Sequence, residues 1–175
     1  RASLSEKSNH PHPLVMSATP IPRTLALMIY GDLDVSSIDE LPPNRQPVKT
    51  YVISSKIKER AYNFLKDHLD RGLQGYIVCP LVEAMETTPA NLQNAEEYAD
   101  KLARGPFQNY RVGVLHGKMR AKDREAIMQQ FASGEIQLLV STTVIEVGVD
   151  VPNAVIMMVE NAERFGLSQL HQLRG

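Results

Sequence analysis

The chain has 175 residues, of which 43% are hydrophobic and 22% are charged, and its formal net charge is -1. This length and apolar content suffice for one globular domain with its own core and exclude wholesale disorder. The near-neutral charge counts against a free-standing module that holds nucleic acid through bulk electrostatics, but it allows a few local phosphate contacts. No apolar run approaches the roughly 20 residues that cross a bilayer, and the single cysteine, Cys79, is typical of a reducing cytoplasm.

The beginning of the chain combines polar segments with proline-rich turns. Residues 14–24 (LVMSATPIPRT) predict a short strand and a hydroxyl-rich turn, and residues 23–30 predict a helix. The closely spaced prolines in residues 32–47 indicate a linker. The acidic pair Asp39 and Glu40 lies in this linker, so we interpret it as a solvated turn and not as a metal site.

From residue 48 onward, strand and helix patterns alternate regularly. Apolar and β-branched runs predict strands at 48–53, 76–79, 111–115, 136–140 and 154–159. Helical spacing predicts helices at 56–71, 92–103, 121–132 and from 166 to the chain end. In the first of these, the predicted inward face consists of Ile57, Ala61, Phe64, Leu65, His68 and Leu69. Glycines at 72 and 134 are predicted to end two of these helices. The alternation predicts an α/β fold with a parallel sheet that has helices on both faces. Cys79 lies within a predicted strand, and we interpret it as a small core residue.

The common phosphate loop is absent from the sequence. No segment reads G-x-x-x-x-G-K-[ST], and the nearest approach, Gly113–Met119, has the wrong glycine spacing. It also places a methionine where Mg²⁺ needs a hydroxyl ligand. We therefore expect that this chain by itself does not hold a nucleoside triphosphate in the usual way.

Polar residues collect at the ends of successive predicted elements, where a parallel sheet binds its ligands. Each group taken alone is compatible with a capped turn or a solvated base. Their repetition favours a working edge, because hydroxyls and free backbone amides suit phosphate. The groups are Ser17, Ala18, Thr19 and Arg23; His116 and Gly117; Thr142, Thr143, Glu146, Gly148 and Asp150; and Gln172 with Arg174.

These segments resemble motifs of superfamily 2 DNA helicases. SATPIPRT (17–24) resembles motif III, LHGKM (115–119) motif IVa, STTVIEVGVDVPNA (141–154) motif V, and GLSQLHQLRG (166–175) the start of motif VI. Two further segments resemble the RecG family of branched-DNA translocases in particular: IDELPPNRQPVKT (38–50) and CPLVEAMETTPANLQNAEEYADKL (79–102). The related transcription-repair coupling factors share the motor motifs but differ in these two places.

The resemblance implies a RecA-like motor lobe and a domain division. Residues 1–31 would be the tail of a first helicase lobe, residues 32–47 the interdomain linker, and residues 48–175 a second RecA-like domain that stops within motif VI. The arginines that would contact the γ-phosphate would follow Gly175, so we expect no complete catalytic set in this chain.

The resemblance also implies a role for each matched residue. Ser17, Ala18, Thr19 and Arg23 would couple the nucleotide state to the grip on DNA. Contacts to the DNA backbone would come from Thr142, Thr143, His116 and Gly117. The residues Glu146, Gly148, Asp150 and Gln172 would face the ATP cleft.

The implied function is that of an ATP-dependent helicase or translocase that remodels branched DNA, such as replication forks and Holliday junctions, in bacterial repair and recombination. ATP and Mg²⁺ would be bound mainly by the first lobe of the same protein, in the cytoplasm and without a membrane. We expect the fragment alone to be inactive. In the full-length parent, we expect Thr143→Ala to weaken DNA coupling more than fold stability. Two alternatives remain: the motor lobe of a transcription-repair coupling factor, and a non-catalytic helicase-like binding module.

Overall fold

The computed structural model describes residue 36 and residues 47–80, 89–142 and 151–174. The chain divides into two compact units, Arg1–Val48 with Gly175, and Lys49–Arg174. The second unit contains every helix and strand described below. The strand and helix predicted within residues 14–30, and nearly all of the predicted linker, lie outside the described residues.

Helices and strands alternate along the second unit. Its helices are α1 (Lys58–Leu69), α2 (Pro89–Arg104), α3 (Ala121–Ala132) and α4 (Leu167–Arg174). Its strands are β1 (Gln74–Val78), β2 (Val112–Leu115), β3 (Leu138–Ser141) and β4 (Ala154–Val159). Short 3-10 helices occupy Ser55–Ile57 and Ala162–Arg164. None of the helices in the described part of the chain is long and apolar enough to cross a membrane.

The described strands form one parallel sheet in the order β2-β3-β1-β4. Strand β1 lies between β3 and β4, so that Tyr76 is paired with Leu139 on one side and Met157 on the other. The predicted parallel α/β fold is therefore confirmed.

Two hydrophobic clusters cover opposite faces of this sheet. Because side chains alternate along a strand, Ile77 and Tyr76 of β1 point to different faces. Ile77 joins a cluster with α1 and α2, whose buried members also include Leu65, Leu69, Ala99, Leu102, Phe107, Leu138 and Val140. Tyr76 packs against the second cluster, to which α3 contributes Met128 and Phe131. Its other buried members are Leu115, Ile136 and Leu139. Helices on both faces, as predicted, thus enclose the sheet.

Two sequence predictions in this unit are wrong. Residues 48–53 form no strand, and the side chains of Tyr51 and Val52 are 77% and 99% exposed. A β-branched run forms a strand only when a neighbouring strand pairs with it and one face is buried. Of the residues predicted to share one face of the first helix, Phe64 on α1 is 56% exposed and Ile57, just before α1, is 45% exposed. Adjacent positions on a helix do not share a face, and Leu65 takes the inward position.

Glycines end two of the helices, as predicted. Gly72 follows α1 with φ +80°, and Gly134 follows α3 with φ +82°. A left-handed conformation is unfavourable for residues with a Cβ atom, so glycine is the residue that stops a helix there.

The start of β1 contains a buried amide side chain. Gln74 is 2% exposed, and its Nε2 donates to the backbone oxygens of Phe131 at 2.6 Å and Ile136 at 2.7 Å. Among the described residues, no group donates to its Oε1 atom. Gln74 therefore ties the central strand to the end of α3 and to the turn that leads into β3.

Candidate functional site

The carboxyl ends of the four described strands meet at one edge of the sheet, which we call the carboxyl edge: Cys79 after β1, His116 after β2, Thr142 after β3 and Glu160 after β4. Backbone bonds extend the sheet into this edge. Cys79 N–H donates to Ser141 O at 2.8 Å, and Glu160 N–H donates to Val78 O at 2.9 Å. The edge is therefore a continuation of the sheet.

His116 and Thr142, both predicted to contact the DNA backbone, lie on neighbouring strands because β2 pairs with β3. The imidazole of His116 is 12% exposed, and its Nε2 lies 3.3 Å from Glu96 Oε1 on α2. In the described part of the chain its Nδ1 atom is buried and has no hydrogen-bond partner. Gly117, by contrast, is exposed. The turn after β2 therefore presents its backbone, while the imidazole faces a carboxylate.

A groove of about 530 Å³ lies beside this histidine. Its apolar floor comes from β2 and α3, and its rim carries carboxylates of α2; the lining residues are Glu96, Glu97, Asp100, Val114, His116, Met119 and Ile127. Carboxylates repel phosphate, so this groove is unsuited to a nucleic-acid backbone.

Thr142 is 6% exposed, and its N–H donates to Leu115 O at 3.3 Å. It thus belongs to the interior at the tip of β3, next to the fully buried Ser141. The other predicted residues of this segment and of motif III lie outside the described residues: Thr143, Glu146, Gly148, Asp150, Ser17, Ala18, Thr19 and Arg23.

Gln172, predicted to face the ATP cleft, is exposed on α4. This helix begins after Gly166, whose N–H donates to Gln169 Oε1 at 3.0 Å. Between β4 and α4 the chain turns at Asn161, which adopts a left-handed φ of 47°. Asparagine tolerates this conformation better than other residues with a Cβ atom. This turn lies between Glu160, the last residue bonded to the sheet, and α4, the helix that carries Gln172.

A polar network at the carboxyl edge was not predicted from the sequence. Glu160 accepts a hydrogen bond from Lys58 Nζ at 2.8 Å and another from Tyr98 OH at 2.7 Å. The hydroxyls of Tyr62 and Tyr98 lie 2.9 Å apart. Burial raises the pKa of Tyr98, and its bonds with Tyr62 and Glu160 raise it further. Although burial lowers the pKa of Lys58, hydrogen bonds with Glu160 and Tyr62 outweigh it, and the net pKa is raised. Both groups therefore keep their protons and donate to the carboxylate at neutral pH.

Cys79 lies beside this network and packs, partly buried, against the core cluster of α1 and α2. Burial raises the pKa of its thiol to about 11, the charge of Glu160 adds to the rise, and Lys58 opposes it. Its predicted place as a small core residue is therefore confirmed in part.

We expect Cys79 to be alkylated about 100-fold more slowly at pH 8 than an exposed thiol, because only the thiolate reacts. Time-resolved labelling with iodoacetamide, followed by mass spectrometry, measures the rate. The control is the same chain unfolded in urea, in which labelling is fast. Equal rates in the folded and unfolded chain would contradict the raised pKa.

No group of three or more His, Cys, Asp or Glu side chains within residues 47–80, 89–142 and 151–174 is arranged to hold a metal ion. The described part of the edge offers the exposed backbone of Gly117 and the exposed side chain of Gln172 on α4. These features suit contacts with phosphate groups.

Comparison with known proteins identifies the class of protein to which this fold belongs. Residues 56–175 match the family model described as the helicase conserved C-terminal domain. The chain belongs to this family.

The particular relatives are RecG helicases. The whole chain is 51% identical to the ATP-dependent DNA helicase RecG of Synechocystis sp. and 46% identical to that of Thermotoga maritima, of which it covers 21% and 22%. It is 45% identical to the RecG of Bacillus subtilis and covers 25% of that protein. The chain thus spans about a fifth to a quarter of the length of these relatives.

A solved structure described as RecG bound to a three-way DNA junction also matches. It superimposes with a TM-score of 0.71 at 45% identity, over 91% of this chain and 20% of the other. The resemblance to the RecG family drawn from the sequence, and the RecA-like fold class that it implied, are therefore confirmed.

Proposed function

We propose that this chain is the second motor lobe of an ATP-dependent DNA helicase that remodels branched DNA in repair and recombination in the bacterial cytoplasm. The observation that carries the proposal is the TM-score of 0.71, at 45% identity, with a RecG bound to a three-way DNA junction. The full-length similarity to helicases named RecG supports the same function.

The lobe works, in this proposal, as one half of a nucleotide site. A first RecA-like lobe of the same protein supplies the phosphate loop and holds ATP with Mg²⁺, because this sequence has no such loop. From this chain, Gln172 together with Glu146, Gly148 and Asp150 faces the cleft. Closing two lobes around ATP excludes water and places charged and polar donors where negative charge develops on the phosphate.

The DNA side of the lobe uses the tips of β2 and β3. Because the His116 imidazole faces Glu96, we assign the phosphate contact at this tip to the exposed backbone of Gly117. Thr142 is buried, so Thr143 is assigned the hydroxyl contact at the tip of β3. Backbone amides and hydroxyls hold DNA without reading its sequence, which explains how a lobe of net charge -1 can act on DNA.

Movement along DNA follows, in this proposal, from coupling the ATP cleft to the DNA-contacting side of the lobe. Opening and closing of the cleft shifts one phosphate-gripping surface relative to another, and repeated cycles move the protein along the strand. Motif III residues Ser17, Ala18, Thr19 and Arg23 are assigned to transmit the nucleotide state between the lobes.

Measuring ATP hydrolysis with and without a synthetic three-way junction tests the proposal. We expect the chain alone to show no DNA-stimulated turnover, and the full-length helicase to be stimulated by the junction more than by linear duplex. Robust turnover by the chain alone would overturn the division of the site between two lobes. A full-length protein that binds the junction but never hydrolyses ATP would instead indicate a non-catalytic binding module.

A further inference from the structure

We propose that Glu160 is a positioning residue that sets the direction in which α4 leaves the sheet, and with it the place of Gln172. The assignment of Gln172 to the ATP cleft rests on the proposed function. The positioning itself rests on the contacts of Glu160 with Val78, Lys58 and Tyr98.

Helix α4 has no buried residue to fix it against the core. Its first turn is held by local bonds, such as that from Leu170 N–H to Gly166 O at 3.0 Å. On α4, only Leu170 and Leu173 are partly buried. A helix with so narrow an apolar face takes much of its orientation from the segment that precedes it. For α4, that segment is the turn at Asn161 and the 3-10 helix Ala162–Arg164, both of which start from Glu160.

Glu160 is the last residue bonded to the sheet before this turn. Its backbone N–H donates to Val78 O at 2.9 Å, which prolongs the pairing of β4 with β1. Its side chain is 17% exposed, and both carboxylate oxygens accept hydrogen bonds, Oε2 from Lys58 and Oε1 from Tyr98. Main chain and side chain are therefore both held at the point where the chain changes direction.

The donors are themselves held in place. Lys58 Nζ lies 5.5 Å from the ring centre of Tyr62 and 5.4 Å from that of Tyr98, and the two tyrosine hydroxyls lie 2.9 Å apart. Lys58 and Tyr62 come from α1, and Tyr98 comes from α2. The carboxylate thus joins two helices of one face of the sheet to the end of β4.

Such a network contributes more to geometry than to stability. A partly buried ion pair gains little net free energy, because the cost of removing both charges from water offsets their attraction. Each bond, however, prescribes a direction and a distance for its donor. A small displacement of a group at a nucleotide cleft lowers turnover strongly, so fixing the exit from β4 is a means of positioning Gln172.

The variant Tyr98→Phe in the full-length helicase tests the proposal, with Glu160→Gln as a second variant. Tyr98→Phe removes the hydroxyl that donates to Glu160, so we expect kcat for junction-stimulated hydrolysis to fall about tenfold. The dissociation constant for the junction should change less than about twofold, since the DNA side is untouched. Glu160→Gln keeps an acceptor for Tyr98 but loses the charge that holds Lys58, so a smaller fall in kcat is expected.

Tyr110→Phe is the matched control. Its hydroxyl also donates to a carboxylate, Asp70 Oδ1, at 2.5 Å, but this bond has no link to β4 or α4. We expect Tyr110→Phe to leave kcat unchanged. Equal kcat values for Tyr98→Phe and Tyr110→Phe would overturn the proposal, as would an unchanged kcat in Glu160→Gln if Tyr98→Phe fails to fold.

Hydrogen exchange of the same proteins separates this proposal from the proposed function. The amides of α4 should exchange faster in Tyr98→Phe than in wild type, whereas those of α3 should not change. This readout needs no ATP hydrolysis. A wild-type protein without stimulated turnover would count against the proposed function alone, and unaltered exchange in α4 would count against the role of Glu160 alone.

Discussion

Gln172→Ala is expected to lower junction-stimulated ATP turnover of the full-length helicase on the order of 100-fold. In the proposed site, the amide of Gln172 is a fixed polar group near the phosphates, where removing one donor has an effect of this size. Its side chain is exposed on α4, which has no buried residue, so the fold does not depend on it. Turnover and melting temperature, measured on the same preparation, check both parts of the expectation.

Gln169→Ala provides the control on the same helix. Gln169 Oε1 accepts the N–H of Gly166 at 3.0 Å, a bond that closes the first turn of α4. Its loss should cost about 1 kcal/mol of helix stability, as for other side chains that satisfy a free N–H at a helix start. Turnover should remain within a few-fold of wild type. If both variants lose turnover equally, Gln172 acts only by holding the helix together.

Gln74→Leu is expected to lower the free energy of unfolding by about 2 kcal/mol. Leucine fills a similar volume, so the loss comes from the backbone oxygens of Phe131 and Ile136, which Gln74 Nε2 bonds at 2.6 and 2.7 Å. Phe131 O keeps the N–H of Gly134 at 3.0 Å, so Ile136 O accounts for most of the loss. Each buried acceptor that loses its donor costs about 1–3 kcal/mol. Leucine also removes the buried Oε1 atom, for which the described residues offer no donor, and this moderates the loss.

Urea unfolding of the chain, monitored by circular dichroism, measures this difference. The matched control is Gln129→Leu on α3, since Gln129 is an exposed residue of the same type. We expect it to change the free energy of unfolding by less than about 0.5 kcal/mol. A loss at Gln74 no larger than at Gln129 would mean that water replaces the amide in bonding the two oxygens.

The elements predicted best from the sequence are those whose ends are marked by nearby residues. The bounds of α3, Ala121–Ala132, and of β4, Ala154–Val159, were predicted correctly. For α3, helical spacing ends at a glycine with positive φ, and for β4 an apolar run follows a proline turn. The wrong strand at 48–53 lacked such local information, because pairing with a distant neighbour decides whether an apolar run becomes a strand.

The carboxyl edge was predicted only in its parts that carry a motif. The sequence placed His116 at a strand tip. It could not show that the carboxylate of Glu96, 20 residues earlier, would contact the imidazole of His116. It missed Glu160 entirely, because Lys58 and Tyr98 lie 102 and 62 residues away. No periodicity connects positions so far apart. The available signal was weak: Lys58 and Tyr62 are one helical turn apart, on the side of α1 that also carries Leu65 and Leu69.

The strand order has a consequence for biosynthesis. Strand β1 is the first of the four described strands to leave the ribosome, yet its neighbours are β3 and β4, the last two. Roughly 80 residues separate β1 from the end of β4, which corresponds to about 4–16 s of translation. Until β3 emerges, the buried residues Ile77 and Val78 have no strand on either side, and until β4 emerges they have one on only one side. The centre of the sheet is thus made first and completed last, which leaves an unpaired strand edge on the nascent chain until β4 emerges.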